Sequence, residues 1–188
     1  MINTFFNKHK QFSNLPKKLK FYHGLIFFVV INLIAGYGVS LFVDVKSVYS
    51  NLKLPWIAPP VWLFGFAWTF NNICMIYGNI LAYNLENSSQ NAVLKSKFLK
   101  LQCFSWLNYL VFQYLSFGTK IPAMFFIPTF SMLVINIFSI YYAYKLDTID
   151  MSFWSKVKSG KSIFMSLVSL VSWLIIASIL GLSIMLYN

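Results

Sequence analysis

Apolar positions in this chain fall into five long runs, at residues 21–43, 62–83, 98–117, 121–144 and 162–187, separated by shorter stretches that hold nearly all the charge. Crossing the hydrocarbon core of a bilayer takes about 20 helical residues, and each run is long enough. The pattern therefore predicts an all-α, integral membrane bundle of five transmembrane helices. It forms one domain, residues 21–188, preceded by a basic segment over residues 1–20.

The connections refine this picture. Gly118, Thr119 and Lys120 leave room only for a tight turn, so the third and fourth spans are expected to be antiparallel neighbours. Pro122 is tolerated at the start of the fourth span, whereas Pro128 should kink it. The first connection, residues 44–61, is unusually apolar and is expected to fold over the helix ends or lie at the headgroups. The second, residues 85–97, is polar and contains the sequon Asn87-Ser88-Ser89. No internal repeat is visible, and five helices do not divide into two inverted halves, which argues against the repeat-built transporters.

Composition agrees with the membrane reading: 59% of residues are hydrophobic and 10% charged. The net charge of +11 comes from lysines placed between the spans, which the positive-inside rule explains without nucleic acid. Lys8, Lys10, Lys17, Lys18, Lys20, Lys95, Lys97, Lys100, Lys145, Lys156, Lys158 and Lys161 fall on one side, and Lys46, Lys53 and Lys120 on the other. This predicts a cytoplasmic N-terminus, an external C-terminus, and the sequon on the side where it would not be modified. The first run is longer than the apolar core of a cleaved signal peptide and reads as a retained anchor. Cys74 and Cys103, both within spans, form neither a disulfide framework nor a metal site.

Proton-transfer chemistry needs a titratable group in a pocket. The acids Asp44, Glu86, Asp147 and Asp150 all fall in connections, His9 in the basic segment, and His23 at the edge of the first span. What lies inside is aromatic and amide. Trp68, Asn72, Met75, Asn79 and Tyr83 share one helical face, and Ser166, Ser169, Trp173, Ala177 and Gly181 share another. Such stripes serve either as ordinary helix contacts or as the walls of a pocket around Trp68 and Trp173. The segment LPWIAPPVWLFGFAW, residues 54–68, sharpens the second reading. Pro55, Pro59 and Pro60 suit a rigid approach to a helix start, Gly65 leaves room for a close neighbour, and Trp56 and Trp62 suit an interfacial belt. Trp68 is deeper than Trp62 by about 9 Å of helical rise, beyond the belt.

The same residues carry a resemblance. Tyr49-x-x-Leu52-x-x-Pro55, then Pro59-Pro60-x-Trp62-x-x-Gly65-x-x-Trp68, then Tyr77-Gly78, resembles the TspO/MBR family of tryptophan-rich sensory proteins and translocator proteins. The stretch Asn108 to Gly118 is similar to that family's NxxWxxxFFG, and Trp173-x-x-x-Ala177-x-x-Leu180 with Asn188 to its WxxFAxxLN ending. The chain departs from the family pattern at Val48, Phe66-Ala67, Asn72 and Gly181. Leu182 and Leu186 stand where animal members carry a proposed cholesterol motif, so sterol binding through that motif is not expected.

The resemblance implies a five-helix bundle, often a homodimer, with a pocket toward the first connection that binds porphyrins, haem and other flat hydrophobic molecules. No cofactor is required; protoporphyrin or haem is the implied ligand. Some bacterial members are reported to degrade protoporphyrin in light and oxygen through two Trp residues that match Trp68 and Trp173, which would then be catalytic. Stripes and resemblance together name Tyr49, Pro59, Pro60, Trp62, Trp68, Asn72, Asn108, Trp173, Ala177 and Leu180 as ligand-binding. The reading from another class is a ligand-free accessory or assembly subunit of a larger membrane complex.

Overall fold

The computed structural model describes residues 18–56, 58–86, 88–149 and 152–188. The basic segment up to residue 17, Asn87 of the sequon and Asp150 lie outside these described residues. Helices are α1 (Phe21–Ser40), α2 (Val45–Ser50), α3 (Val61–Asn84), α4 (Ala92–Gln113), α5 (Ala123–Thr148), α6 (Phe153–Lys158) and α7 (Ile163–Tyr187), with no strand among the described residues. The five long ones have 20, 24, 22, 26 and 25 residues, enough for a ~30 Å hydrocarbon core at ~1.5 Å per residue.

Length and composition together mark α1, α5 and α7 as membrane spans. α3 falls short in apolar content because it carries Asn71, Asn72 and Asn79, and α4 because it begins with Lys95, Lys97 and Lys100. The two short helices stand in connections. α2 starts at Asp44, whose Oδ1 accepts from the Ser47 amide at 3.2 Å, an N-cap within the apolar first connection.

α5 and α7 make the most extensive helix contact, followed by α4 with α5 and α3 with α7. Their shared core includes Phe98, Trp106, Met132, Leu146, Leu167, Leu170 and Leu174. α1 lies outermost on α3 and α4. It buries Ile31, Ala35 and Val39, four residues apart, and leaves Ile26, Leu33 and Tyr37 to the lipid.

Small residues set the closest approaches. A Cβ on Gly181 would stand 2.6 Å from the Phe125 carbonyl oxygen, so α7 crosses α5 backbone to backbone there. Gly78 seats Ser166 of α7, and the neighbouring Tyr77 hydroxyl donates to the Gly160 carbonyl at 2.8 Å. The Tyr-Gly pair of the sequence motif is thus a helix junction. The close neighbour expected at Gly65 is not found: among the described residues a Cβ there, or on Gly36, would meet nothing within 4 Å, whereas Gly38 faces the Tyr114 hydroxyl.

Polar fastenings explain how the spans are held. Pro128 lacks the N–H that would bond the Met124 carbonyl, and the Ser116 hydroxyl of the turn after α4 donates to that carbonyl at 2.6 Å. A widened turn at Leu33–Tyr37 of α1 is fastened at and just before its start: Tyr114 Oη, in the turn after α4, donates to the Ile34 carbonyl at 2.7 Å, and Tyr109 Oη of α4 to Asn32 Oδ1 at 2.9 Å. Two asparagine side chains also grip main chain with both amide atoms. Asn84 bonds the Leu19 N–H and carbonyl at 2.8 and 2.7 Å, and Asn188 bonds those of Lys53 at 2.7 and 3.1 Å.

Asp147 corrects the sequence reading. It belongs to the last turn of α5, not to a connection, and is fully buried. Its carboxylate accepts from Ser162 Oγ at 2.7 Å and from the Phe164 and Ile163 amides at 3.0 and 3.2 Å. It caps α7, taking up first-turn amides that have no partner within the helix. Lys156 of α6 is buried beside it, its Nζ donating to the Leu146 carbonyl at 3.1 Å.

Candidate functional site

One end of the bundle, beneath the first connection, encloses a cavity of about 480 Å³. Small-molecule sites typically occupy about 300–1,000 Å³. α3 presents Phe64, Gly65, Trp68 and Thr69 to it, one face repeating every four residues. α4 contributes Tyr109, Phe112 and Gln113, and the turn after it Phe117. α5 adds Phe125 and Thr129, and α7 adds Ala177, Leu180, Gly181 and Ile184. Val45, Lys46 and Tyr49 of α2 close the mouth.

The wall is a continuous chain of rings. Tyr49 meets Phe64 at 5.5 Å between centroids, Phe64 meets Trp173 at 5.6 Å, and Trp173 meets Trp68 edge-to-face at 6.4 Å. Trp68 continues to Tyr109 and Phe112 at 5.3 and 5.8 Å, Phe112 to Phe117 at 6.3 Å, and Phe117 to Phe125 at 5.4 Å. Offset and edge-on contacts of this kind add about 0.5–1.5 kcal/mol per pair beyond burial, so the rings hold one another in place before any ligand arrives.

Polar groups around the cavity are few. The Tyr49 hydroxyl donates to the Pro59 carbonyl at 3.3 Å, tying α2 to the proline approach of α3. Burial pushes the Tyr49 phenol above its ordinary pKa, so it remains the donor through neutral pH. Thr129 spends its hydroxyl on the Phe125 and Phe126 carbonyls, at 2.7 and 2.8 Å. Behind the aromatic wall, the Asn72 amide and Trp173 Nε1 are buried without a hydrogen-bond partner among the described residues. Tyr109 lies close enough to Asn72 to interact with it electrostatically, but its proton goes to Asn32.

Of the ten residues named from sequence, Tyr49, Trp68, Ala177 and Leu180 line the cavity. Trp173 and Asn72 stand one layer behind: Trp173 touches Trp68 and Phe64, and Asn72 is one helical turn deeper than Trp68. Pro59 and Pro60 frame the start of α3 without reaching the cavity. Trp62, in the first turn of α3, lies outside it and is 71% exposed, as the 96% exposed Trp56 of the first connection is. Asn108 donates to Ser131 Oγ of α5 at 2.8 Å, and its neighbour Tyr109 takes the cavity-facing position. The aromatic lining Phe64, Phe112, Phe117 and Phe125 was not singled out from sequence. Its helical spacing was visible, but that spacing is shared with every buried face.

The comparison with protein families adds the decisive observation: the model of the TspO/MBR family matches residues 27–187, nearly the whole chain. The chain belongs to the TspO/MBR family. The all-helical bundle and its long apolar helices make this TspO/MBR protein an integral membrane protein in contact with lipid. A sequence comparison against curated proteins finds no match. Within the TspO/MBR chain, the motif residues now divide by physical role. Trp68, Tyr49, Ala177 and Leu180 face the cavity, Gly78 seats α7 on α3 while Tyr77 bonds the connection that precedes α7, and the prolines set the approach to α3.

Proposed function

We propose that this protein is a membrane receptor for flat, hydrophobic, porphyrin-like molecules, bound in the cavity with one face against Trp68. The observation that carries this reading is the ring chain from Tyr49 to Phe125 around a cavity of about 480 Å³. A large apolar plane gains from burial and from stacking, while hydrogen-bonding specificity demands more free polar groups than this lining offers. Trp173 acts at one remove, fixing the Trp68 and Phe64 rings. The lysine distribution supports a mouth on the external side.

The test is a titration of protoporphyrin into detergent-purified protein in the dark, read by tryptophan fluorescence. Saturable one-to-one quenching is expected, weakened by about two- to tenfold in Trp68→Phe, the range that one stacking pair supplies. Quenching that rises without saturation and ignores the substitution overturns the reading and leaves an accessory subunit as the better one.

A second reading keeps the pocket and adds light-dependent breakdown of the bound porphyrin. The edge-to-face contact of Trp68 with Trp173 supports it, because it extends the indole system away from the ligand. Here the porphyrin brings the chemistry and the protein positions it. Illumination in oxygen should consume porphyrin faster with wild type than with a Trp68→Phe, Trp173→Phe double variant. Equal rates refute it.

A further inference from the structure

The cavity lining is mostly apolar, and its charge stands at the mouth. Among the described lining residues, Lys46 of α2 is the single charged side chain, and no acidic group pairs with it. Asp44, two residues earlier, uses its carboxylate to cap the start of α2 at Ser47, 3.2 Å away. Across the cavity, Gln113 of α4 and Thr69 of α3 also lack hydrogen-bond partners among the described residues, unlike Asn32 and Thr129, whose polar groups are satisfied internally. The open polar valences of the lining are therefore one cation, one amide and one hydroxyl, with no anion to oppose them.

We infer that Lys46 selects ligands that carry a carboxylate arm on a flat apolar ring. The ring lies against Trp68 and the arm emerges at the mouth, where the Lys46 ammonium neutralises it. An arm directed inward would meet Phe112, Phe125 and Leu180 and find only the neutral Gln113 amide and Thr69 hydroxyl in place of water, with no counter-charge. This inference rests on the receptor reading above and names the residue that sets its specificity. An anionic lipid headgroup offers the same charge, so the experiment must separate the two sources.

Protoporphyrin IX and its dimethyl ester share the ring and differ in the carboxylates, and both are titrated in non-ionic detergent without added phospholipid. Wild type should prefer the free acid by about fivefold, the size that an exposed ion pair supports, and the preference should shrink as salt rises. Lys46→Gln should lower the affinity for the acid to that for the ester while leaving the ester unchanged, and Lys46→Arg should keep the preference. Equal binding of acid and ester by wild type overturns the inference, as does a Lys46→Gln variant that loses both alike, which would mark a packing role. If anionic phospholipid competes with the acid in wild type but not in Lys46→Gln, the headgroup is the occupant and the inference also falls. Failure of both compounds to bind saturably removes the receptor reading itself, an outcome distinct from these.

Discussion

Pro128 and Ser116 make a coupled pair whose energy can be measured. Proline at 128 leaves the Met124 carbonyl without its helical donor, and the fully buried Ser116 supplies a replacement at 2.6 Å. Ser116→Ala removes that donor and strands a carbonyl in an apolar setting. Orphaning a buried polar group costs about 1–3 kcal/mol in water-soluble proteins, and side-chain hydrogen bonds within membranes average about 0.6 with a maximum near 1.7. A loss of about 1 kcal/mol is therefore expected. In a Pro128→Ala background the new N–H at position 128 can bond Met124 directly, so the same serine change should cost close to nothing. Whatever Pro128→Ala does by itself cancels in the double-mutant cycle, which should give a coupling of about 1 kcal/mol. Reversible unfolding of the four proteins in graded denaturing detergent, followed by circular dichroism, supplies the numbers. An equal cost of Ser116→Ala in both backgrounds would refute the assignment. Because Phe117 and Phe125 flank the two partners and touch at 5.4 Å in the cavity wall, the single variant should also weaken porphyrin binding.

Three further outcomes follow from the packing. Gly181→Ala should destabilise by about 1–3 kcal/mol in the same unfolding assay, since its Cβ would meet main-chain atoms of Phe125 and Phe126 that no rotamer change can move aside; unchanged stability would deny the close crossing. Gly65→Leu should do the reverse, gaining up to about 1 kcal/mol of helix propensity while its side chain fills the cavity and abolishes saturable porphyrin binding, because Gly65 lines that space with no atom within 4 Å of a Cβ. Asn188→Ala should change global stability by less than about 1 kcal/mol yet speed hydrogen exchange at the Lys53 amide, which its side chain holds at 2.7 Å; undiminished protection would show that the first connection is held by other means.

Sequence pattern exposed the long helices because hydrocarbon demands continuous apolar runs, and the tight turn at Gly118-Thr119-Lys120 because nothing longer fits. It also marked the Trp68 face, since an indole two turns inside a span has no interfacial explanation. Other features were illegible for identifiable reasons. Asn108 and Tyr109 are adjacent and both polar at one end, and only the rotation of α4 against α5 decides which faces the cavity. Asp147 looked like a loop acid because charge and helix end coincide there, and its burial depends on the N-terminus of α7 arriving from fifteen residues away. Gly65 looked like a contact glycine, yet a glycine beside a void and a glycine against a backbone have the same letter.

The paired grips of Asn84 and Asn188 carry an asymmetry for how such a chain can drift over generations. At Leu19 and at Lys53 each amide bonds main chain alone and is indifferent to the side chain found there. Those two positions can accept nearly any replacement, proline excepted, without loosening the fastening. The asparagines have no such latitude: aspartate lacks the donor, and glutamine sets the same amide one methylene farther out. Variation beneath the fastenings is thus cheap and variation of the fastenings is not, so the segment over the cavity mouth can change its chemistry, and with it the ligands admitted, while staying tied in place.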